Sequence, residues 1–106
     1  QYLPDSVHYV KKFLPTGYSK THSISQSGPY LYVNGQTASA GQGVTIYDLS
    51  INPETPVKRG AYNSLYVHDC RIFNDTIYAA NISNGKISII NAVNKNSLSL
   101  ITSLTT

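Results

Sequence analysis

The sequence predicts an all-β chain, and three observations carry that prediction. The first is near-repetition. Thr21-His22-Ser23-Ile24-Ser25, Tyr30-Leu31-Tyr32-Val33 and Val44-Thr45-Ile46-Tyr47-Asp48 are followed, in the same order, by Val67-His68-Asp69-Cys70-Arg71, Thr76-Ile77-Tyr78-Ala79 and Ile87-Ser88-Ile89-Ile90-Asn91. The copies lie 46 residues apart at the histidines and 43 apart at the third segment. The second is period-two alternation within the segments, the mark of a half-buried strand. The third is turn chemistry at matching places between them. A period of about 40–50 residues made of short strands is what one blade of a β-propeller occupies, and two blades cannot close a propeller. The expected architecture is a β-propeller fragment with four-stranded antiparallel blades. Residues 1–20 would be the end of a preceding blade and a linker, 21–63 one blade and 64–106 the next, all in one propeller domain.

Each element has its own signal. Residues 10–13 (Val-Lys-Lys-Phe) resemble 57–62 and predict the outer strand of a preceding blade. The first blade opens with a strand at 22–25, turns at Ser27-Gly28-Pro29 and continues at 30–33. An insertion containing Thr37-Ala38-Ser39-Ala40 lengthens it before Gly41-Gln42-Gly43. The strand at 44–47 would set Val44 and Ile46 on one face and Thr45 and Tyr47 on the other. Asn52-Pro53-Glu54-Thr55-Pro56 then leads to the last strand, 57–62. The second blade repeats the order: 69–72, turn Asn74-Asp75, 76–79, turn Asn84-Gly85, 87–90, turn Asn94-Lys95-Asn96-Ser97, and 99–104. No stretch shows the i, i+3, i+4, i+7 spacing of an amphipathic helix.

Composition agrees. Charged residues make up 12% of the 106, about half the ~25% of an ordinary globular chain, and Tyr supplies 9 of the 11 aromatics. Such a balance favours strands over solvated helices. The net charge is +3, yet the basic residues are scattered, with no run beyond Lys11-Lys12 and Lys58-Arg59. Nucleic-acid footprints concentrate charge on one face, so no nucleic-acid partner is expected. The single cysteine, Cys70, excludes an intrachain disulfide framework and a cysteine-based zinc ribbon. It reads as a buried core thiol, the sharper alternative being a nucleophile paired with His68. No window approaches the ~18 apolar residues of a membrane-spanning helix. No signal-peptide pattern opens the sequence, which fits a mature or trimmed chain.

Several phrases resemble a known family. Val44-Thr45-Ile46-Tyr47-Asp48, with Gly43, Ser50, Asn52-Pro53 and Thr55-Pro56-Val57 around it, is similar to the Leu-Val-Ile-Val-Asp repeat of secreted bacterial propellers. Tyr66-Val67-His68-Asp69 resembles the segment that opens blades in the choice-of-anchor B group, and Asn74-Asp75-Thr76-Ile77-Tyr78-Ala79 its second strand. The likeness spans roughly residues 10–104. The second copy departs from it, with Asn91 in place of the repeat's Asp and a turn without proline. The resemblance implies a secreted or outer-surface bacterial protein, with any anchoring supplied by regions outside these residues. It carries no catalytic residues over.

The candidate site residues are His22, His68 and Asp69. Both histidines begin the first strand of their copies, the strand that lines the central channel of a propeller, where they could bind a ligand or metal or act in acid–base work. The alternative is that each pins one blade to the next by hydrogen bonds. Asp48 and Asp69 could be read as a carboxylate pair, although Asp48 sits where Asp binds turn amides, and no calcium-loop spacing is present. Ser6 and Thr76 lie in Asp-Ser/Thr-hydrophobic tripeptides that resemble the O-glycosylation sites of Bacteroidota-type secreted proteins. Asn74-Asp75-Thr76 and Asn81-Ile82-Ser83 fit the N-glycosylation pattern. The tyrosines read as packing between blades, or as a stacking surface for sugar or peptide. The expected role is a binding or interaction module without cofactor or metal. Its partners would be a protein or glycan ligand, or the remaining blades of its own propeller. A channel-sited enzyme or metal protein using His22, His68 and Asp69 is one alternative, and a structural subunit of an envelope or secretion assembly is another.

Overall fold

The computed structural model describes residues 9–15, 17, 20–36 and 41–106. They form two four-stranded antiparallel sheets, each a simple meander. The first runs β1 (Ser23–Ser27), β2 (Tyr30–Asn34), β3 (Val44–Asp48) and β4 (Val57–Tyr62). The second runs β5 (Asp69–Phe73), β6 (Thr76–Asn81), β7 (Lys86–Asn91) and β8 (Ser99–Thr105). All eight strands fall within a residue or two of their predicted places. The outer strand expected at residues 10–13 is not formed. Those residues have no ladder partner, and Phe13 instead sets its ring edge-on to Tyr47, centroids 5.4 Å apart. The insertion at 37–40 lies outside the described residues. Among the described residues, no helix is long and apolar enough to cross a membrane.

The turns explain why both copies fold alike. Asn74 and Asp75 both adopt positive φ (47° and 54°), the two left-handed positions of a tight hairpin whose twist matches its strands. In the first copy that place is taken by Gly28-Pro29, with Gly28 at φ 57°. At the end of β3, the Asp48 carboxylate accepts the Ser50 amide at 2.8 Å; at the end of β7, Asn91 accepts the Val93 amide at 2.9 Å. The Asn-for-Asp departure thus keeps the turn bond and loses only the charge. Asn52 and Asn94 then close the next turns in the same way, accepting the amides of Glu54 and Asn96 at 3.0 Å each. Where the second copy reads Asn84-Gly85, a single 3-10 turn (Ile82–Asn84) precedes the left-handed Gly85.

The sheets stack without closing. Tyr32, Val44 and Ile46 of the first sheet meet Cys70, Ile77, Ala79 and Ile90 of the second, with Val67 and Ala92 completing the core. Each fully buried Ile or Val side chain contributes roughly 1.5–3 kcal/mol. Backbone approach between the sheets is concentrated where β1 runs beside β5. There the small, polar side chains of β1 fit: Ser23 Oγ donates to Asp69 at 2.9 Å and Ser25 Oγ to the Cys70 carbonyl at 3.1 Å. At the far end Gly60 of β4 admits the loop before β8, because a Cβ there would lie 2.5 Å from the Lys95 carbonyl oxygen. Lys95 in turn lies over the Tyr30 ring and bonds Asp75 at 2.9 Å.

Candidate functional site

The two histidines meet. His22 enters β1 and His68 enters β5, each tied by its backbone amide to the end of its neighbouring strand, His22 to the Asn34 carbonyl (3.1 Å) and His68 to that of Ala80 (2.9 Å). Their ring centroids are 4.0 Å apart with the planes inclined at 43°. Neither imidazole hydrogen-bonds a described residue, so among these residues the seam is pinned by a different side chain. The pin is Asn34. It is fully buried, and its amide nitrogen donates to the carbonyls of Val67 (3.3 Å) and His68 (2.9 Å) across the seam. Its oxygen accepts from the Cys70 thiol at 3.4 Å. Asn34 therefore fixes the segment that carries His68.

Asp69 does not join the histidine pair as a ligand group. Its carboxylate is held below the usual range, first by the Ser23 hydroxyl, then by the Cys70 amide and the charges of Arg71 and His68. Asp48 is committed elsewhere, to Arg59 at 2.7 Å, so the two carboxylates form no pair. Cys70 is buried in the seam, and burial pushes its thiol up to about 11, which leaves little thiolate at neutral pH. That argues against the nucleophile reading. Among the described residues, no three His, Cys, Asp or Glu side chains are grouped to hold a metal ion.

Beside His22 lies an open cleft of about 350 Å³, lined by Lys20, Thr21, His22, Gly35 and Tyr66. Gly35 forms part of its wall at φ 70°; a Cβ there would come within 2.5 Å of the His22 Cβ and 3.2 Å of the Tyr66 hydroxyl. A second, smaller pocket of about 110 Å³ beneath Phe13 and Leu14 is almost wholly apolar and offers little to orient a ligand. Lys20, Asn34 and Gly35 carried no signal in the sequence: Asn34-Gly35 reads as a surface turn, and only the fold shows that its asparagine is interior.

The glycosylation candidates separate. Ser6 lies outside the described residues. Thr76 opens β6 beside the hairpin turn, partly exposed, its hydroxyl on the Asn74 carbonyl at 3.2 Å. Asn81 is buried and bonded to the Tyr66 carbonyl at 2.8 Å, so it cannot carry a glycan in the folded chain. No family model, curated protein or solved structure matches the chain.

Proposed function

We propose that the chain is two consecutive blades of a β-propeller, of the secreted or cell-surface bacterial kind its repeat resembles, and that it serves as a binding module for a protein or glycan. One observation carries the reading. By strand register, Tyr78, Ile87 and Ile89 occupy in the second sheet the places of Tyr32, Val44 and Ile46 in the first. The first set is on the outside and the second in the core: Tyr78 is 42% exposed against 0% for Tyr32, and Ile87 38% against 0% for Val44. The sheets therefore stack front to back, the second presenting outward the same face the first has buried. Head-to-tail contacts of this kind continue until a rotation closes them into a ring.

The test is the native polypeptide. Its intact mass and neighbouring peptides should extend beyond 11.6 kDa. The 106-residue chain alone should bind an apolar-surface dye or self-associate in sedimentation. A native mass near 11.6 kDa, with a dispersed monomer that binds no dye, would sink the proposal. A second reading, a channel site built on the histidines, is favoured by the 4.0 Å approach of the His22 and His68 rings. Absence of stoichiometric metal in the native protein would count against its metal version.

A further inference from the structure

From the chemistry of the cleft beside His22 we infer an oxyanion-binding site, taking the carboxylate or phosphate group of a small ligand. The inference rests on the binding-module reading and names the ligand class of that module. The side chains that bound the cleft are donors: the Lys20 ammonium, the His22 imidazole and the hydroxyls of Thr21 and Tyr66. Thr21 is already engaged, its hydroxyl on the Asn34 carbonyl at 2.6 Å. Lys20, His22 and Tyr66 make no side-chain hydrogen bond to any described residue, so three donors bound one opening without a partner among those residues. Among the described residues, no carboxylate lines the cleft. Asp69, next in sequence to His68, is occupied by Ser23, the Cys70 amide and Arg71. A lysine beside such donors, with no acid to balance it among the described lining residues, opposes a metal cation and suits an anion.

The shape agrees with the charge. Gly35 has no side chain to fill the space between His22 and the Tyr66 hydroxyl, and any Cβ there would crowd both. His68 backs the His22 ring at 4.0 Å and limits its freedom to turn away. About 350 Å³ is near the lower end of small-ligand sites, enough for a small organic acid or a phosphate group.

The test is a titration of the isotope-labelled chain, followed through its backbone amide signals, with inorganic phosphate and, separately, with succinate. Sodium chloride at matched ionic strength serves as the reference. Saturable shifts at Lys20, His22, Gly35 and Tyr66 are expected with at least one of the two anions. The stronger of them identifies the source of the oxyanion. Lys20→Gln and Tyr66→Phe, both of which leave the core untouched, should each weaken binding about tenfold, as loss of a charge-assisted or neutral hydrogen bond to an anion does. Shifts that stay linear with both anions would overturn the inference. So would shifts that persist undiminished in the Lys20→Gln, Tyr66→Phe double variant, or saturation by zinc ion and by neither anion. A flat titration would leave the front-to-back stacking of the sheets standing. A chain that proves complete as a monomer would remove the propeller and leave these shifts in place.

Discussion

Tyr32→Phe should make the chain more stable, although it deletes a polar group from a tyrosine. Tyr32 is fully buried between the sheets, and its hydroxyl has no hydrogen-bond partner among the described residues. Burial, helped by the charge of Asp75, pushes its ionisation up to about 12. A buried hydroxyl without a partner costs roughly 1–3 kcal/mol. The void left by one oxygen, of order 10 Å³, costs only about 0.2 kcal/mol. The expected gain is therefore about 1 kcal/mol, or a rise in Tm of roughly 4–8 °C for a chain of this size. Urea unfolding followed by far-ultraviolet circular dichroism should show a higher midpoint at unchanged slope. The alkaline limb gives a second readout. The unfolded tyrosine ionises near its ordinary value of 10.0 and the folded one only near 12, so stability present below the first value is lost as pH rises toward the second. The phenylalanine variant lacks that part of the loss. Asn34→Ala is the control of opposite sign, since it strips buried partners from Val67, His68 and Cys70 and should cost about 2–4 kcal/mol. A midpoint for Tyr32→Phe equal to or below that of the parent refutes the penalty assigned to the hydroxyl.

Three further outcomes follow from the same structure. Asp48 titrates near 2, held down by the hydroxyl and amide of Ser50 and by Arg59, so its contribution is complete above its ordinary value of 3.8 and is lost as pH falls through about 2. Asp48→Asn should flatten that acid limb, as read from urea midpoints at mildly acidic and strongly acidic pH. The Cys70 thiol, raised to about 11 by burial first and Asp69 second, should react with a thiol reagent only at the rate of unfolding, and prompt labelling of the native chain would contradict its placement in the seam. Gly60→Val should cost about 1–3 kcal/mol by overpacking against the Lys95 carbonyl, and should shift the amide signals of Lys95 and Asn96 before those of β1.

Local structure was legible where local chemistry decides it. Val44 and Ile46 face the other sheet as their spacing predicts, although Thr45 and Tyr47 on the opposite face are buried too, with Phe13 against Tyr47; Asn74-Asp75 turns because those side chains tolerate the left-handed region. Contacts that depend on residues far apart in the chain were not legible. Nothing local in Asn34 distinguishes an interior pin from a surface turn residue, and nothing local in Gly60 shows that a loop 35 residues later will press on it. The histidine spacing suggested a meeting without fixing its form. The two rings are inclined at 43°, and among the described residues neither has a hydrogen-bond partner and no group of three metal-ligating side chains is found. Residues 10–13 resemble 57–62 but form no strand, because a ladder needs a neighbour and likeness in sequence does not supply one.

The placement of polar groups along β1 and β5 bears on how the sheets find one register. Apolar packing is not directional, and a two-residue slip between the sheets would keep every side chain on its own face, with Tyr32 still inside. The bonds of Ser23 to Asp69, Ser25 to Cys70 and Asn34 to Val67 and His68 do not survive such a slip. Asn34 is fully buried, and leaving its amide without a partner costs roughly 1–3 kcal/mol; the half-buried Ser23 and Ser25 add smaller amounts in the same direction. The apolar body of the seam supplies most of the attraction, and its polar inner edge selects the alignment. That alignment brings the rings of His22 and His68 to 4.0 Å and leaves the cleft beside them open above Gly35.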